Sequence, residues 1–143
     1  MELSGITAIL GGEEVLRKKI QSQMDLIELS QVGIPKDALV NLAKYLSFTI
    51  GQMAQLLPVT ERTIQKYPPQ KHFNSAVSEQ ILHIAEVAAR GAEVFGTKDQ
   101  FLSWLNHPSK AMANKTPMSL LNSRFGVEMV LDELGRMEYG VFS

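Results

Sequence analysis

The sequence predicts an all-α protein, and three observations support that prediction. Apolar residues recur three or four positions apart over most of the chain, which is the spacing of one helix face. Residues that favour helix ends, mainly Thr, Pro and Gly, separate these periodic stretches. No tandem repeat or low-complexity stretch interrupts them. We expect an N-terminal helical subdomain over residues 1–70 and a C-terminal helical domain over residues 71–143, divided at the polar connection that begins with Pro68-Pro69.

The composition is that of an ordinary globular protein. Of the 143 residues, 45% are hydrophobic and 20% are charged, and no apolar run approaches the roughly 18 residues that a membrane span requires. No signal-peptide pattern is present, and the absence of cysteine is compatible with the cytoplasm, which is the expected location. A net charge of −1 argues against non-specific wrapping of nucleic acid, so any DNA contact has to be local and to gain affinity from a homodimer.

The N-terminal stretch predicts a short helical turn over residues 1–12, stopped by Gly11-Gly12, and then an amphipathic helix from Glu13 to Met24. Its basic triplet, Arg17-Lys18-Lys19, suits a solvated helix face better than a phosphate contact. Residues 25–32 alternate apolar and polar side chains in part, and the pattern leaves a short strand and an irregular arm both open.

Pro35 then suits the first position of a helix that runs to about Leu46, because its missing N–H is not needed there. Residues 49–67 read as two short helices joined by a tight turn. Apolar side chains at helical spacing face inward from both, and Thr60 can cap the second helix by accepting a backbone N–H. These intervals match a helix-turn-helix, although an αα-corner buried in a helical core has the same pattern.

The second of these helices leaves polar side chains outward that can bond base edges and phosphates in a major groove. Residues 41–75 also hold four basic side chains and a single acid, Glu61, in a chain that is slightly acidic overall. Two features count against DNA binding, namely Pro58 at a turn position where Gly is usual and the charge of Glu61. The candidate DNA-binding residues are Gln52, Thr60, Arg62, Thr63, Gln65 and Lys66.

The C-terminal half predicts four more helices. A long one runs from Ser75 or Ser78 to Phe95, with Gly96 ending it, and Thr97 with Gln100 is a capping-box signature for the next, which stops before Pro108. After a loop over residues 109–115, a short helix begins at Thr116-Pro117, and the last spans Phe125 to Met137.

Residues for metal binding or catalysis are not grouped in the sequence. His72, His83 and His107 are isolated, and the spacings typical of zinc sites are absent. Neither a nucleophile elbow nor a glycine-rich phosphate loop occurs. We therefore expect no metal, no cofactor and no enzymatic activity.

A set of C-terminal motifs resembles the Xre/MbcA/ParS toxin-binding family, and with the helix-turn-helix the resemblance covers nearly all of residues 25–142. The motifs are Ala92–Gly96, Phe101–Leu105, Pro108, Thr116–Leu121, Gly126, Val130, Leu134–Arg136 and Glu138–Phe142. One departure lies in the loop before Thr116, where the family usually has a Gly and this chain has Ala113-Asn114-Lys115, although Asn tolerates a left-handed backbone.

The resemblance implies an antitoxin of a RES–Xre toxin–antitoxin system. Such a protein would bind a RES-domain toxin that degrades NAD⁺, occlude its active site, and repress the shared operon through operator DNA as a homodimer. Residues 71–143 would then be the toxin-binding domain. Trp104, Leu105, Pro117, Leu120 and Leu121 suit its core better than its surface, whereas the exposed end supplies the candidate toxin-binding residues Arg136, Glu138, Tyr139, Gly140, Val141 and Phe142.

Other possibilities stay open at this point. Tyr139 and Phe142 could fold back on the last helix instead of entering a partner. The chain could be a stand-alone dimeric repressor whose C-terminal domain serves only dimerisation. It could also be a scaffold that binds a different partner through the same domain.

Overall fold

A computed structural model describes residues 2–140, which form nine α-helices, two single-turn 3₁₀ helices and no β-strand. The α-helices are α1 Glu2–Ile9, α2 Glu13–Leu16, α3 Gln23–Val32, α4 Lys36–Leu46, α5 Ile50–Gln55, α6 Glu61–Lys66, α7 Ser75–Phe95, α8 Lys98–Leu105 and α9 Arg124–Glu138. The 3₁₀ helices are Lys110–Met112 and Met118–Leu120. The predicted all-α fold class is confirmed.

The central helix of the bundle is α7, which contacts α1, α3, α8 and α9. Apolar or small side chains surround much of it, and a helix of that kind has to be buried on several sides. The side chain of Asn74 accepts the N–H of Val77 at 3.0 Å to cap its start, and Gly96 ends it in the left-handed conformation at φ 78°. The prediction of a long helix from Ser75 to Phe95 is confirmed.

The helix predicted from Glu13 to Met24 is wrong, because α2 ends after one turn. Arg17 adopts the left-handed conformation at φ 56°, and its N–H bonds back to the carbonyl of Glu13. The chain is then irregular up to Ser22. Within this connection the carboxylate of Asp25 accepts the N–H groups of Gln21 at 2.8 Å and of Ser22 at 3.1 Å. These bonds stabilise a second helix start, and the backbone N–H of Gln21 lowers the pKa of Asp25 below its ordinary value.

Residues 25–32 belong to α3 and form neither the short strand nor the irregular arm that the sequence left open. Leu29 is the buried residue of this helix, and the helix packs against α7. The sequence did not predict this helix because its apolar residues do not form one buried face. Leu29 is fully buried, whereas Ile27 and Val32 are largely exposed.

A buried hydroxyl joins the start of α7 to the segments that precede it. Ser78 accepts the N–H of Ile34 at 2.8 Å and donates to the carbonyl of Phe73 at 3.2 Å.

Pro35 is the N-cap of α4, so it lies one position before the first helical residue, which is where the sequence had placed it. The division after residue 70 falls in the connection between α6 and α7 and stays a prediction.

Thr97 caps α8 as the sequence predicted, whereas the short helix predicted to begin at Thr116-Pro117 is a single 3₁₀ turn, Met118–Leu120, with Pro117 as its N-cap. Thr97 accepts the N–H of Gln100 at 3.3 Å, and Thr116 accepts that of Ser119 at 3.2 Å. In the loop before Thr116, Asn114 has a φ of 66°, as expected for the residue that stands in for Gly, and Ala113 is also left-handed at φ 56°.

No helix among residues 2–140 has the length and hydropathy to cross a membrane.

Candidate functional site

The predicted helix-turn-helix consists of α5 and α6, held together by apolar side chains. Met53 and Ile64 are fully buried, one from each helix. Thr49 and Gln52 cap the start of α5 reciprocally, since each side-chain oxygen accepts the backbone N–H of the other residue, at 3.0 and 2.8 Å. Both helices are short, so this core and these caps are needed to stabilise them.

The turn between α5 and α6 is compatible with Pro58. None of residues 56–60 has a positive φ, so no position in the turn requires Gly. Thr60 caps α6 by accepting the N–H of Thr63 at 3.1 Å, as predicted, and its hydroxyl donates to that of Thr63 at 2.9 Å. The other end of α6 is fixed by Lys36, whose Nζ donates to the carbonyl of Tyr67 at 2.9 Å.

The six candidate DNA-binding residues share the surface of this helix pair, but they are not equally free. Gln52, Thr60 and Thr63 take part in the caps, and Gln65 donates from Nε2 to Glu61 Oε2 at 3.1 Å. By contrast, Arg62 and Lys66 are exposed and take no part in these caps. They are therefore the cations best placed to meet phosphate or base edges.

The second candidate surface is the end of α9. Tyr139 is 79% exposed and does not fold back on the helix. Arg136 bonds to Glu133 within the helix, at 2.8 Å from Nε and 2.6 Å from Nη2, and Glu138 pairs with Arg90 of α7 at 2.5 Å. Gly140 follows in the left-handed conformation at φ 70°. Val141 and Phe142, the last two predicted toxin-binding residues, lie outside the described residues.

The side chains that the sequence assigned to the C-terminal core lie in or against it. Leu105 and Leu121 are fully buried, Pro117 is buried, and Trp104 and Leu120 are half-buried. Trp104 joins Phe95 and Phe101 in an aromatic cluster with ring centroids 5.6 to 6.4 Å apart. These rings pack the end of α7 against α8.

An apolar pair on α9 was not singled out from the sequence. Phe125 is 83% exposed and Met129, one turn later, is 48% exposed. Both fall off the inward stripe of Val127, Val130 and Leu134, and that offset is the signal that could have identified them. Large exposed apolar side chains on one helix face are typical of protein-contact surfaces.

Two family models match adjacent parts of the chain. Residues 25–86 match the antitoxin Xre-like helix-turn-helix domain, and residues 90–140 match the antitoxin Xre/MbcA/ParS C-terminal toxin-binding domain. The two matches meet within α7. The presence of a helix-turn-helix domain is thereby confirmed, and so is the resemblance carried by the C-terminal motifs, while the bounds 49–67 stay a prediction.

Similar proteins include two curated antitoxins and one solved structure. A protein named antitoxin Xre from Yersinia enterocolitica is 25% identical over 120 residues, which is 82% of this chain and 81% of that protein. Another antitoxin Xre, from Photorhabdus laumondii, is 24% identical over 113 residues, covering 78% and 76% respectively. A chain of the M. tuberculosis MbcT–MbcA toxin–antitoxin complex has the same fold, with a TM-score of 0.55 and 18% identity over 87% of this chain and 100% of that chain.

Proposed function

Because the chain belongs to the Xre/MbcA/ParS antitoxin family, with an Xre-like helix-turn-helix domain ahead of its toxin-binding domain, we propose that it acts on two partners. It binds a RES-domain toxin that degrades NAD⁺ and occludes the active site of that toxin, and it represses its own operon by binding operator DNA. The proposal depends on one observation above all, which is that the two domain matches lie side by side in a single chain.

Inhibition of the toxin needs no chemistry from this chain. The end of α9 offers an exposed aromatic ring at Tyr139 and an arginine at position 136, a pair that suits insertion into a pocket built for a phosphate-bearing substrate. The ion pair of Glu138 with Arg90 anchors this end to α7, so the surface is presented on a fixed helix. The antitoxin acts by occupying space, and no enzymatic activity is part of the proposal.

The toxin half of the proposal is tested by co-expression with the product of the neighbouring gene, followed by a pull-down and a measurement of cellular NAD⁺. We expect a stable complex and restored NAD⁺. A protein that binds DNA with high affinity but neither co-purifies with that product nor restores NAD⁺ would be a stand-alone repressor instead. A protein that captures a different partner and shows no specific DNA binding would be a scaffold.

The terminal residues are tested by a truncation that removes residues 139–143. It keeps Glu138 and its ion pair with Arg90, so α9 should stay docked. We expect the truncated protein to bind DNA as the full chain does but to release toxin activity. An inhibition constant equal to that of the full chain would rule out occlusion by the C-terminus.

The DNA half of the proposal places the protein in the cytoplasm as a homodimer, since two copies of so short a reading helix gain affinity together. Arg62→Ala should relax base choice at one position of each half-site, because arginine commonly reads guanine through two hydrogen bonds. The measurement is binding to a set of operator duplexes that differ by single base pairs. Unchanged selectivity would assign DNA recognition to another surface.

A further inference from the structure

Glu61, Gln65 and Gly51 form a contact cluster between the two helices of the helix-turn-helix. Gln65 Nε2 donates to Glu61 Oε2 at 3.1 Å, one turn apart on α6. The same carboxylate lies over Gly51 of α5, where an added Cβ would stand 3.0 Å from Oε1 and 3.4 Å from Cδ. Gly51 is helical and not in the left-handed region, so its backbone does not require glycine. The space that its missing side chain leaves is filled by the carboxylate.

This contact determines how the amide of Gln65 is turned. A glutamine amide carries an acceptor at one end and two N–H donors at the other, and a free side chain can present either. An ionised carboxylate only accepts hydrogen bonds, so Glu61 has to face the NH₂ end. The carbonyl oxygen of Gln65 is therefore directed away from Glu61, and one N–H remains available beside it.

We propose that Glu61 is a positioning residue that makes Gln65 selective for bases with an exocyclic amino group in the major groove. Adenine N6 and cytosine N4 present a donor to the amide oxygen, whereas guanine O6 and thymine O4 present acceptors at the corresponding places. Adenine is favoured over cytosine, because its N7 can also accept the remaining N–H. This inference rests on the DNA-binding half of the proposed function and assigns to that site a base preference and the residues that set it.

A purely structural role makes a different prediction for the same pair. A hydrogen bond between exposed side chains at i and i+4 stabilises a helix slightly and does not change what the helix recognises. Removing Glu61 would then alter stability a little and affinity for all sequences equally. A positioning role changes base choice at one position of the DNA site. Base preference at that position therefore distinguishes a positioning role from a structural one.

The test is a selection of duplexes with a randomised core by the full-length protein and by single variants. Glu61→Ala frees the amide and also removes an acid near the phosphates, so affinity should rise for all sequences while selectivity falls at one position. Gly51→Ala keeps that charge and the helix, but its methyl group requires the carboxylate to shift by a few tenths of an ångström. Gln65→Ala identifies the position that the amide reads. Two matched controls are Glu93→Ala and Gly135→Ala. Glu93 is exposed on α7. At Gly135 an added Cβ would have, among the described residues, only Arg90 Nη2 nearby, at 3.8 Å.

We expect the wild type to prefer adenine or cytosine over guanine and thymine by about tenfold or more at the position that Gln65→Ala identifies. Glu61→Ala should bring that preference near parity, Gly51→Ala should reduce it at the same position, and both controls should leave it unchanged. Full retention of the preference in Glu61→Ala and Gly51→Ala, or selection of guanine or thymine there by the wild type, would overturn the inference while leaving operator binding intact. A wild type that enriches no sequence would overturn the DNA-binding half of the proposed function, and this inference with it.

Discussion

The close contact between Gly91 of α7 and the ring of Phe101 of α8 gives the sharpest prediction about stability. An added Cβ at Gly91 would lie 2.7 Å from Phe101 Cζ and closer still to Cδ1 and Cε1. Carbon atoms in van der Waals contact stand about 3.5 Å or more apart, so the ring would have to move by roughly 1 Å. Phe101 is fully buried and packs against the rings of Phe95 and Trp104, so little room exists for that movement.

The magnitude follows from two opposing effects of Gly91→Ala. Alanine in a helix interior is favoured over glycine by about 1 kcal/mol. Overpacking of a filled core costs about 1–3 kcal/mol, and the size of this clash places it near about 3 kcal/mol. The net expectation is a free energy of unfolding lowered by about 2 kcal/mol.

Gly135→Ala is the matched control, because Gly135 also lies inside a helix but an added Cβ there meets, among the described residues, only Arg90 Nη2 at 3.8 Å. This variant should gain the helix preference of about 1 kcal/mol without any clash. Urea unfolding at one protein concentration should therefore separate the two variants by about 3 kcal/mol. Equal stabilisation of both would refute the reasoning, since it would show that Phe101 yields without cost.

Three other expectations follow from the same contacts. Ser78→Ala leaves the buried N–H of Ile34 without its acceptor, so urea unfolding should show a loss of about 1–3 kcal/mol; a loss near zero would mean that another acceptor replaces the hydroxyl. The pKa of Asp25 is lowered chiefly by the backbone N–H of Gln21, so its carboxylate stabilises the fold above the pKa of the unfolded chain and that contribution is lost as pH falls through the folded-state pKa. Asp25→Asn should accordingly flatten the acid side of a plot of melting temperature against pH, and an unchanged slope would assign the acid sensitivity to other carboxylates. Lys66→Ala should weaken operator binding about equally across sequences and reduce the salt slope by about 1, whereas an effect confined to one sequence would make Lys66 a base reader.

Much of the site could be predicted because helix ends and short helix pairs are encoded locally. Thr60 and Thr97 each cap the helix that the sequence assigned to them, and Met53 and Ile64 are buried as their spacing required. Caps act within one turn of the chain, so the residues that specify them are near neighbours in sequence. The family resemblance depended on a longer ordered set of motifs, and it too could be read without knowing which residues meet.

The stretch from Glu13 to Val32 shows where such reading fails. The charges of residues 13–24 suited one amphipathic helix, yet the chain turns at Arg17 and starts again at Gln23. The deciding bonds run from the backbone of Gln21 and Ser22 to Asp25, and a further contact joins Lys18 to Glu28 at 2.6 Å. Periodicity counts only which side chains are apolar, so it cannot register a bend stabilised by polar bonds to a later turn.

The sequence by itself determined the all-α class, the positions of most helices, the helix-turn-helix and the family. Tertiary structure alone decided which small residues make room for a neighbour, as Gly91 does for Phe101 and Gly51 does for Glu61. It also decided that Tyr139 is exposed and that Glu138 is tied to α7 through Arg90. The physical reason is one of range: caps and periodic faces involve residues a few positions apart, whereas these contacts join segments that only the packed bundle brings together.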